Sequence, residues 1–499
     1  MISIWTKDYI DYKLPIVNKD IETPILIIGG GISGLMCAYF LMKEKQDFIL
    51  IDRNKLACGV SMYTTAQVSV AHGPIYEEIS KTLGKNKAKK HFINQLEGLN
   101  LIRQIIKEEK IDCDYKEEST ILYTHEEKNM KILEKQYDII KTIYPKIFFI
   151  NENKPINFPY GLEFTNQFIF NPMKYMMKIA DILIKNQIPL YENSTATKII
   201  KEEHGYKVIV NNEYSITTPK IIMTCQYPFL NPDNLYFAKL YQSKSYAISF
   251  KTNVKLRANY VSLDAPYYYF RTYDHKHLII GGCDHYTGSN KNIEECYDTL
   301  IKKIKVLDPN AEIIHKWYAE DCISTDSLPF IGHYSNNNPN ILLVTGFQKW
   351  GFTNSHIAAK KITDIILDKK VDNIYSPHRV TLFKNIKSTF RMIIHSINGL
   401  ILSKIFVKKY NLNDIEIGSG KIIKYNNLNV LAYRESKNKF ILLKNKCPHM
   451  GCSLIWNNAD KLWECKCHGS IFDKYGKVIY GPSTQNLEVI EYKDIKKEE

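Results

Sequence analysis

The chain has 499 residues, is 44% hydrophobic and 24% charged, and holds only 18 Pro and 23 Gly. That length calls for two or three cores, and that composition excludes disordered, collagen-like and mucin-like classes. The formal charge of +14 comes from lysines spread along the whole chain. No arginine-rich recognition helix accompanies them, so no nucleic-acid partner is expected, and an anionic membrane surface or an acidic redox partner fits better.

The first residues, Met1-Ile-Ser-Ile-Trp-Thr-Lys-Asp8, contain no basic segment leading into an apolar run. No signal peptide is expected, and the cytoplasm is the expected compartment. No apolar run reaches the ~18 residues of a spanning helix. Residues 24–52 then read as an apolar strand, the turn Gly29-Gly-Gly31-Ile-Ser-Gly34, a helical stretch, and a second apolar strand ending at Asp52. In such a unit the first glycine makes the tight turn, the second admits a pyrophosphate, and the third lets helix and strand pack closely. The helix N-terminus offers N–H groups to phosphates, and Asp52 is placed for a ribose hydroxyl. A dinucleotide site follows. The motif does not separate FAD from NAD, but Cys447-Pro-His449 and Cys465-Lys-Cys467-His468 farther along can hold a one-electron iron–sulfur centre, which favours a flavin, since it accepts two electrons and releases them singly.

Residues 54–73 are small and hydroxyl-rich, including Thr64, Thr65 and Ala66, and suit a segment crossing pyrophosphate and ring. An ordinary Ser/Thr loop is the alternative. His72 is a candidate acid–base group or a structural histidine. Apolar positions at helical spacing fill 75–150, and strand-like runs follow at 196–201 and 206–211. Pro219–Cys225 looks like a strand returning to the nucleotide domain. Residues 243–283 alternate as antiparallel strands around Tyr267-Tyr-Tyr-Phe270-Arg271; these aromatics either line a substrate cavity or pack the sheet. Ile341–Thr345 and the turn Gly346-Phe-Gln-Lys349-Trp350-Gly351 lead into a last helix. Its start can direct N–H groups at the electron-rich edge of a reduced flavin, with Lys349 adding positive charge there or remaining a surface lysine.

The Gly29–Asp52 unit, Pro329–Gly332 and the Gly346–Gly351 turn, in this order, resemble the D-amino-acid-oxidase/glycine-oxidase/sarcosine-oxidase superfamily of FAD enzymes. Thr64-Thr65-Ala66 and Lys349-Trp350-Gly351 resemble a narrower bacterial group in which such a flavoprotein is fused to a C-terminal Rieske domain. The resemblance covers nearly the whole chain. It implies FAD at Gly29, Gly31, Gly34 and Asp52, with the isoalloxazine near Thr65 and Gly346–Gly351. It also implies hydride transfer from the C–N bond of a small amine or amino acid. Arg271 is the candidate for a carboxylate clamp. Some relatives attach flavin through a cysteine, and Cys322 lies in a comparable region, though its surroundings match poorly.

Residues 384–409 are basic and amphipathic, broken near Gly399; they form a helix pair packed on the flavin domain or an interfacial helix on anionic lipid. From about 412 short strands frame two loops, Cys447-Pro-His449 and Cys465-Lys-Cys467-His468. Two thiolates can hold one iron and two imidazoles the other, the donor set of a Rieske-type [2Fe–2S] centre. Zinc would accept the same four ligands. The trailing Gly-Ser and Gly481-Pro482 strengthen the resemblance to Rieske proteins. That resemblance pairs Cys452 with Cys467 as a disulfide bracing the loops, two free thiols being the alternative. It also places Ser470 as a hydroxyl donor to the cluster and Phe472 where respiratory members often carry a tyrosine, implying a lower potential. The expected fold is α/β: a Rossmann-like FAD domain with an inserted antiparallel-sheet substrate domain, then a small all-β Rieske domain. Residues 1–375 form the flavin unit, with nucleotide parts at about 20–80, 190–228 and 325–370 and substrate parts at about 81–189 and 229–324. The connector spans 376–411 and the cluster domain 412–499. The expected activity is a dehydrogenase passing electrons from FAD through the cluster to an external acceptor; the alternative is an electron relay without an organic substrate.

Overall fold

Ile25–Ile28 is an unbroken run of Ile and Leu with every side chain buried, as a strand covered on both faces requires. In the computed structural model it is central to a parallel sheet. Residues 2–230, 233–289, 291–379, 394, 399–400, 412–425 and 428–490 are described. The sheet runs Phe330–His333, Ile341–Thr345, Lys220–Met223, Ile25–Ile28, Ile49–Ile51, Leu190–Tyr191. Only the edge strand Phe330–His333 is antiparallel to its neighbour. The 220–223 strand returns beside the first strand, as its apolar run predicts. Helices Ile32–Lys43 and Gly351–Ile366 pack on this sheet with most of their side chains buried.

A second, larger sheet is mostly antiparallel. Its strands include Glu312–Ser324, Leu240–Lys251, His277–Tyr286, Tyr268–Thr272, Ala258–Ser262, Lys116–Thr124 and Phe158–Ile169. Two stretches far apart in sequence therefore build one wall: Ala258–Ser262 pairs in parallel with residues 119–123. The wall has two working faces. One looks toward the nucleotide sheet, and the other is covered by helix Ile293–Leu307 and the core around Tyr246, Ile248 and Tyr260.

The C-terminal unit has one sheet of Gly420–Tyr425, Leu428–Ser436 and Lys439–Lys444, and another of Leu454–Asn457, Leu462–Cys465, Ile471–Asp473 and Val478–Tyr480. Most of the predicted connector lies outside the described residues. Within it, the Gly399 carbonyl accepts a hydrogen bond from Ser453 N at 3.0 Å, and Leu400 packs on the cluster-loop core. Among the described residues no helix is long and apolar enough to cross a membrane.

The C-terminal unit docks on the large sheet through a buried charge. Lys244 has a fully buried side chain, and its Nζ lies 2.8 Å from Glu464 and 2.9 Å from Asp460. Asn457 donates to both carboxylates, and Gly288 N donates to Glu464 at 3.2 Å. Burial alone would lower the Lys244 pKa, but Glu464 and Asp460 outweigh it and raise it. Burial likewise pushes Glu464 up, and Lys244 overrides it, so its carboxyl sits below the usual range. Both partners are therefore ionised at neutral pH. Removing one charge of such a cluster strands the others, at a cost of about 3–5 kcal/mol. Lys244→Met should lower thermal stability by about that amount and expose the segment near 412 to limited proteolysis. Lys244→Met combined with Glu464→Leu should recover part of the loss.

Candidate functional site

A cavity of about 550 Å³ runs between the two large sheets. Gly29, Gly31, Asp52, Thr64, Thr65, Ala66, Gly346, Trp350 and Gly351 all border it. Gly34 does not; it allows close packing instead, since a Cβ there would lie 1.8 Å from the Gly29 carbonyl oxygen. Gly29 has φ +112°, a conformation that side chains other than glycine's rarely adopt. Both Asp52 carboxylate oxygens accept backbone N–H groups, from Gly30 at 2.6 Å and Asn54 at 2.7 Å. This tight glycine turn, opening a helix beside an acid at the next strand end, fits an ADP-containing cofactor.

At the other end, Gln348 and Lys349 take positive φ in succession, 54° and 70°. Gln348 holds this strained turn by donating to the Ser324 carbonyl at 2.9 Å and its hydroxyl at 2.6 Å. Lys349 reaches Asp284 at 2.6 Å. Asp284 and Asp321, both at the cavity, were not singled out from the sequence. Burial pushes the Asp321 carboxyl up to about 6, with Lys349 opposing and Asp284 adding to the rise. Tyr267, Tyr268 and Tyr269 border the cavity, whereas Phe270 packs into the core behind the sheet. The aromatic run thus serves both purposes.

Two residues expected in catalysis sit differently. Arg271 is 1% exposed and does not border the cavity. Its guanidinium donates to the carbonyls of Thr65, Ala66, Phe170 and Thr272, and burial lowers its pKa to about 10. Alternation puts it on the same strand face as Tyr269, but one step beyond the cavity, beneath the Thr65–Ala66 loop. There it braces backbone and clamps no carboxylate. His72 borders the cavity, but its Nε2 hydrogen-bonds the Ser69 carbonyl at 2.7 Å and its ring stacks on Trp350 at 4.1 Å. Burial lowers its pKa well below 6.5. Its place is a neutral support for Trp350. Cys322 also borders the cavity, accepts from the Thr345 hydroxyl at 3.5 Å, and is pushed up to about 12 by burial, which disfavours the thiolate needed for covalent attachment.

In the C-terminal unit Cys447, His449, Cys465 and His468 come together on facing loops, with the two imidazole centroids 5.1 Å apart. Cys452 and Cys467 are disulfide-bonded, Cα–Cα 6.2 Å. Burial lowers His449 to about 4 and His468 to about 3, keeping both in the neutral form that ligates metal. The His468 ring packs against the rings of Tyr227 and Phe237. The Cys447 and Cys465 thiols lie within hydrogen-bonding reach of each other and the two imidazoles meet edge to face, so sulfur pairs with sulfur and nitrogen with nitrogen, the donor division of a [2Fe–2S] centre. Hydrogen bonding from Cys465, the His449 and Met450 backbone and the Ser470 hydroxyl holds the Cys447 thiol below its usual value. Ser470 also accepts from Ser483 N at 3.0 Å, and Phe472 is fully buried beside the loops.

The two sites meet through Tyr227, which the sequence did not mark, and through Gly481 and Pro482, which it marked only for the cluster domain. Tyr227 borders the cavity, and its ring centroid lies 6.1 Å from His449 and 5.9 Å from His468. From the other side Gly481 and Pro482 border the nucleotide end of the cavity, and Arg53 donates to the Ser483 carbonyl at 3.3 Å.

A flavin cradle and a two-iron ligand set in one chain define a flavin–Rieske oxidoreductase. Residues 24–365 match the FAD dependent oxidoreductase family and residues 407–491 the Rieske [2Fe-2S] domain; the chain belongs to the FAD dependent oxidoreductase family and is an enzyme whose cofactors are FAD and a [2Fe–2S] cluster. It is similar to the Bacillus subtilis (strain 168) protein YhfW, whose name describes a Rieske 2Fe-2S iron-sulfur protein, with 29% identity over 486 residues, covering 96% of this chain and 95% of that one. Gamma-glutamylputrescine oxidoreductase of Escherichia coli (strain K12) is 21% identical over 369 residues, 70% of this chain and 85% of that one. The crystal structure of glycine oxidase from Geobacillus kaustophilus superposes with a TM-score of 0.61 at 14% identity, covering 72% of this chain and all of that one.

Arg271→Met should leave four carbonyls without their donor, costing about 3 kcal/mol or more, and should loosen the Thr65–Ala66 loop. Thermal denaturation and the FAD content of the purified variant check this.

Proposed function

We propose that the enzyme oxidises the C–N bond of an amine or amino acid and passes the electrons from the flavin to the cluster, then to an external acceptor. The observation that carries this is Tyr227, which borders the cavity while packing edge-on or tilted against both cluster imidazoles. Bound FAD supplies a two-electron acceptor, and the cluster takes electrons singly. Gly29, Gly31, Asp52 and the Thr64–Ala66 segment hold the cofactor, and the Gly346–Gly351 turn meets its ring. Asp321 accepts the amine proton, and Tyr267 and Tyr269 wall the substrate end. The names of gamma-glutamylputrescine oxidoreductase and glycine oxidase support C–N chemistry.

Anaerobic mixing with a bleaching amine should reduce the flavin first and then give the cluster's EPR signal. Tyr227→Leu should slow the second phase and spare the first; an EPR signal that never follows bleaching removes the internal route. Asp321 works as a carboxylate, so amine-driven bleaching should fall about tenfold per pH unit below about 6. Burial sets this value first, with Lys349 from the Gly346–Gly351 turn lowering it and Asp284 from strand His277–Tyr286 raising it; the titratable Tyr269 from strand Tyr268–Thr272 stands near the same carboxylate. Asp321→Asn should abolish that limb.

A further inference from the structure

We propose that the substrate is a cationic amine bearing no acidic group, recognised by the Asp284–Asp321 end of the cavity. This rests on the reading of the site as a C–N-oxidising centre and narrows it.

An acidic substrate needs a free cationic fork or ammonium. Arg271 is turned onto four carbonyls, and Arg53 belongs to the nucleotide end, where it donates to the Ser483 carbonyl. Lys349 is already 2.6 Å from Asp284. Among the described residues, the cation bordering the substrate end, Lys349, has a carboxylate beside it. Negative charge is in excess there: Glu78, Asp284 and Asp321 border the cavity with Lys349, while the other charged pair in its lining, Asp52 and Arg53, belongs to the nucleotide end. Glu78 accepts only a neutral hydroxyl, from Ser327 at 2.9 Å. A substrate carboxylate or phosphate would be desolvated among like charges. An ammonium would gain a counter-charge beside the aromatic residues Tyr267, Tyr269 and Trp350 that border the cavity, and aromatic rings attract cations.

The chemistry balances in the same surroundings. The bound ammonium gives one proton to the Asp321 carboxylate and becomes a neutral amine. Its α C–H bond then breaks, the hydride with its two electrons goes to the FAD, and the nitrogen lone pair forms the C=N bond. The product is an iminium cation, so the site holds a positive charge at the start and the end. Water later converts it to a carbonyl compound and free amine.

The test uses the flavin- and cluster-loaded enzyme, with two readouts. In anaerobic bleaching, putrescine and benzylamine represent carboxylate-free amines, glycine, sarcosine and L-proline carboxylate-bearing ones, and glycerol 3-phosphate a non-amine. At least one carboxylate-free amine should bleach tenfold or more faster than any carboxylate-bearing one. The opposite order overturns this inference and leaves the C–N reading standing; bleaching by glycerol 3-phosphate alone overturns both. Independently of turnover, calorimetric titration should show saturable binding of tetramethylammonium and none of acetate; binding of acetate alone, or of neither ion, overturns the inference. Asp284→Asn frees Lys349 and removes one carboxylate, so the ratio of tetramethylammonium to acetate affinity should fall at least about tenfold. An unchanged ratio gives Asp284 a merely structural role and counts against the proposal.

Discussion

The arrangement depends on one buried cation. Lys244, on the large sheet of the flavin unit, meets Glu464 and Asp460 of the cluster unit with its side chain wholly removed from water. Such a cluster contributes little net stability over an apolar packing, because desolvating the charges offsets most of their attraction. What it gives is register. An apolar patch would tolerate sliding, whereas three charges and the donors from Asn457 and Gly288 accept one geometry. Glu464 is next to Cys465 in sequence, so fixing its carboxylate fixes the ligand loop, and with it the distance from His468 to Tyr227.

The flavin unit was legible where local chemistry is stereotyped. A glycine trio between two apolar strands has few meanings, and the two strands do pair side by side, in parallel. The cluster loops were equally plain, since Cys447, His449, Cys465 and His468 sit at short, fixed spacings. The alternation around Tyr267–Arg271 gave the sheet and its two faces, but not where along the face the cavity ends. Arg271 fell past that end, and its bonds are to the backbone of a loop some 205 residues away, which no local pattern records. His72 has a similar history: its stacking partner, Trp350, is brought over it by the last helix.

The residues that join the sites left no local trace. Tyr227 follows an ordinary returning strand and precedes a proline; nothing near it announces contact with a loop more than two hundred residues on. Asp321 and Glu320 are adjacent acids, and a strand sends them to opposite faces, so one reaches the cavity while the other is buried near Gly469. From sequence alone that pair is indistinguishable from a solvated strand end.

Gly481 and Pro482 border the same cavity as Gly29, so one cavity wall is assembled from residues far apart in the chain. A ligand that touches both units stabilises each at the other's expense of freedom, and unfolding of either weakens its hold. Synthesis proceeds from the N-terminus, and the nucleotide sheet can form long before residue 482 leaves the ribosome. Closure of the cavity wall by Gly481 and Pro482 therefore waits on the folding of the C-terminal unit.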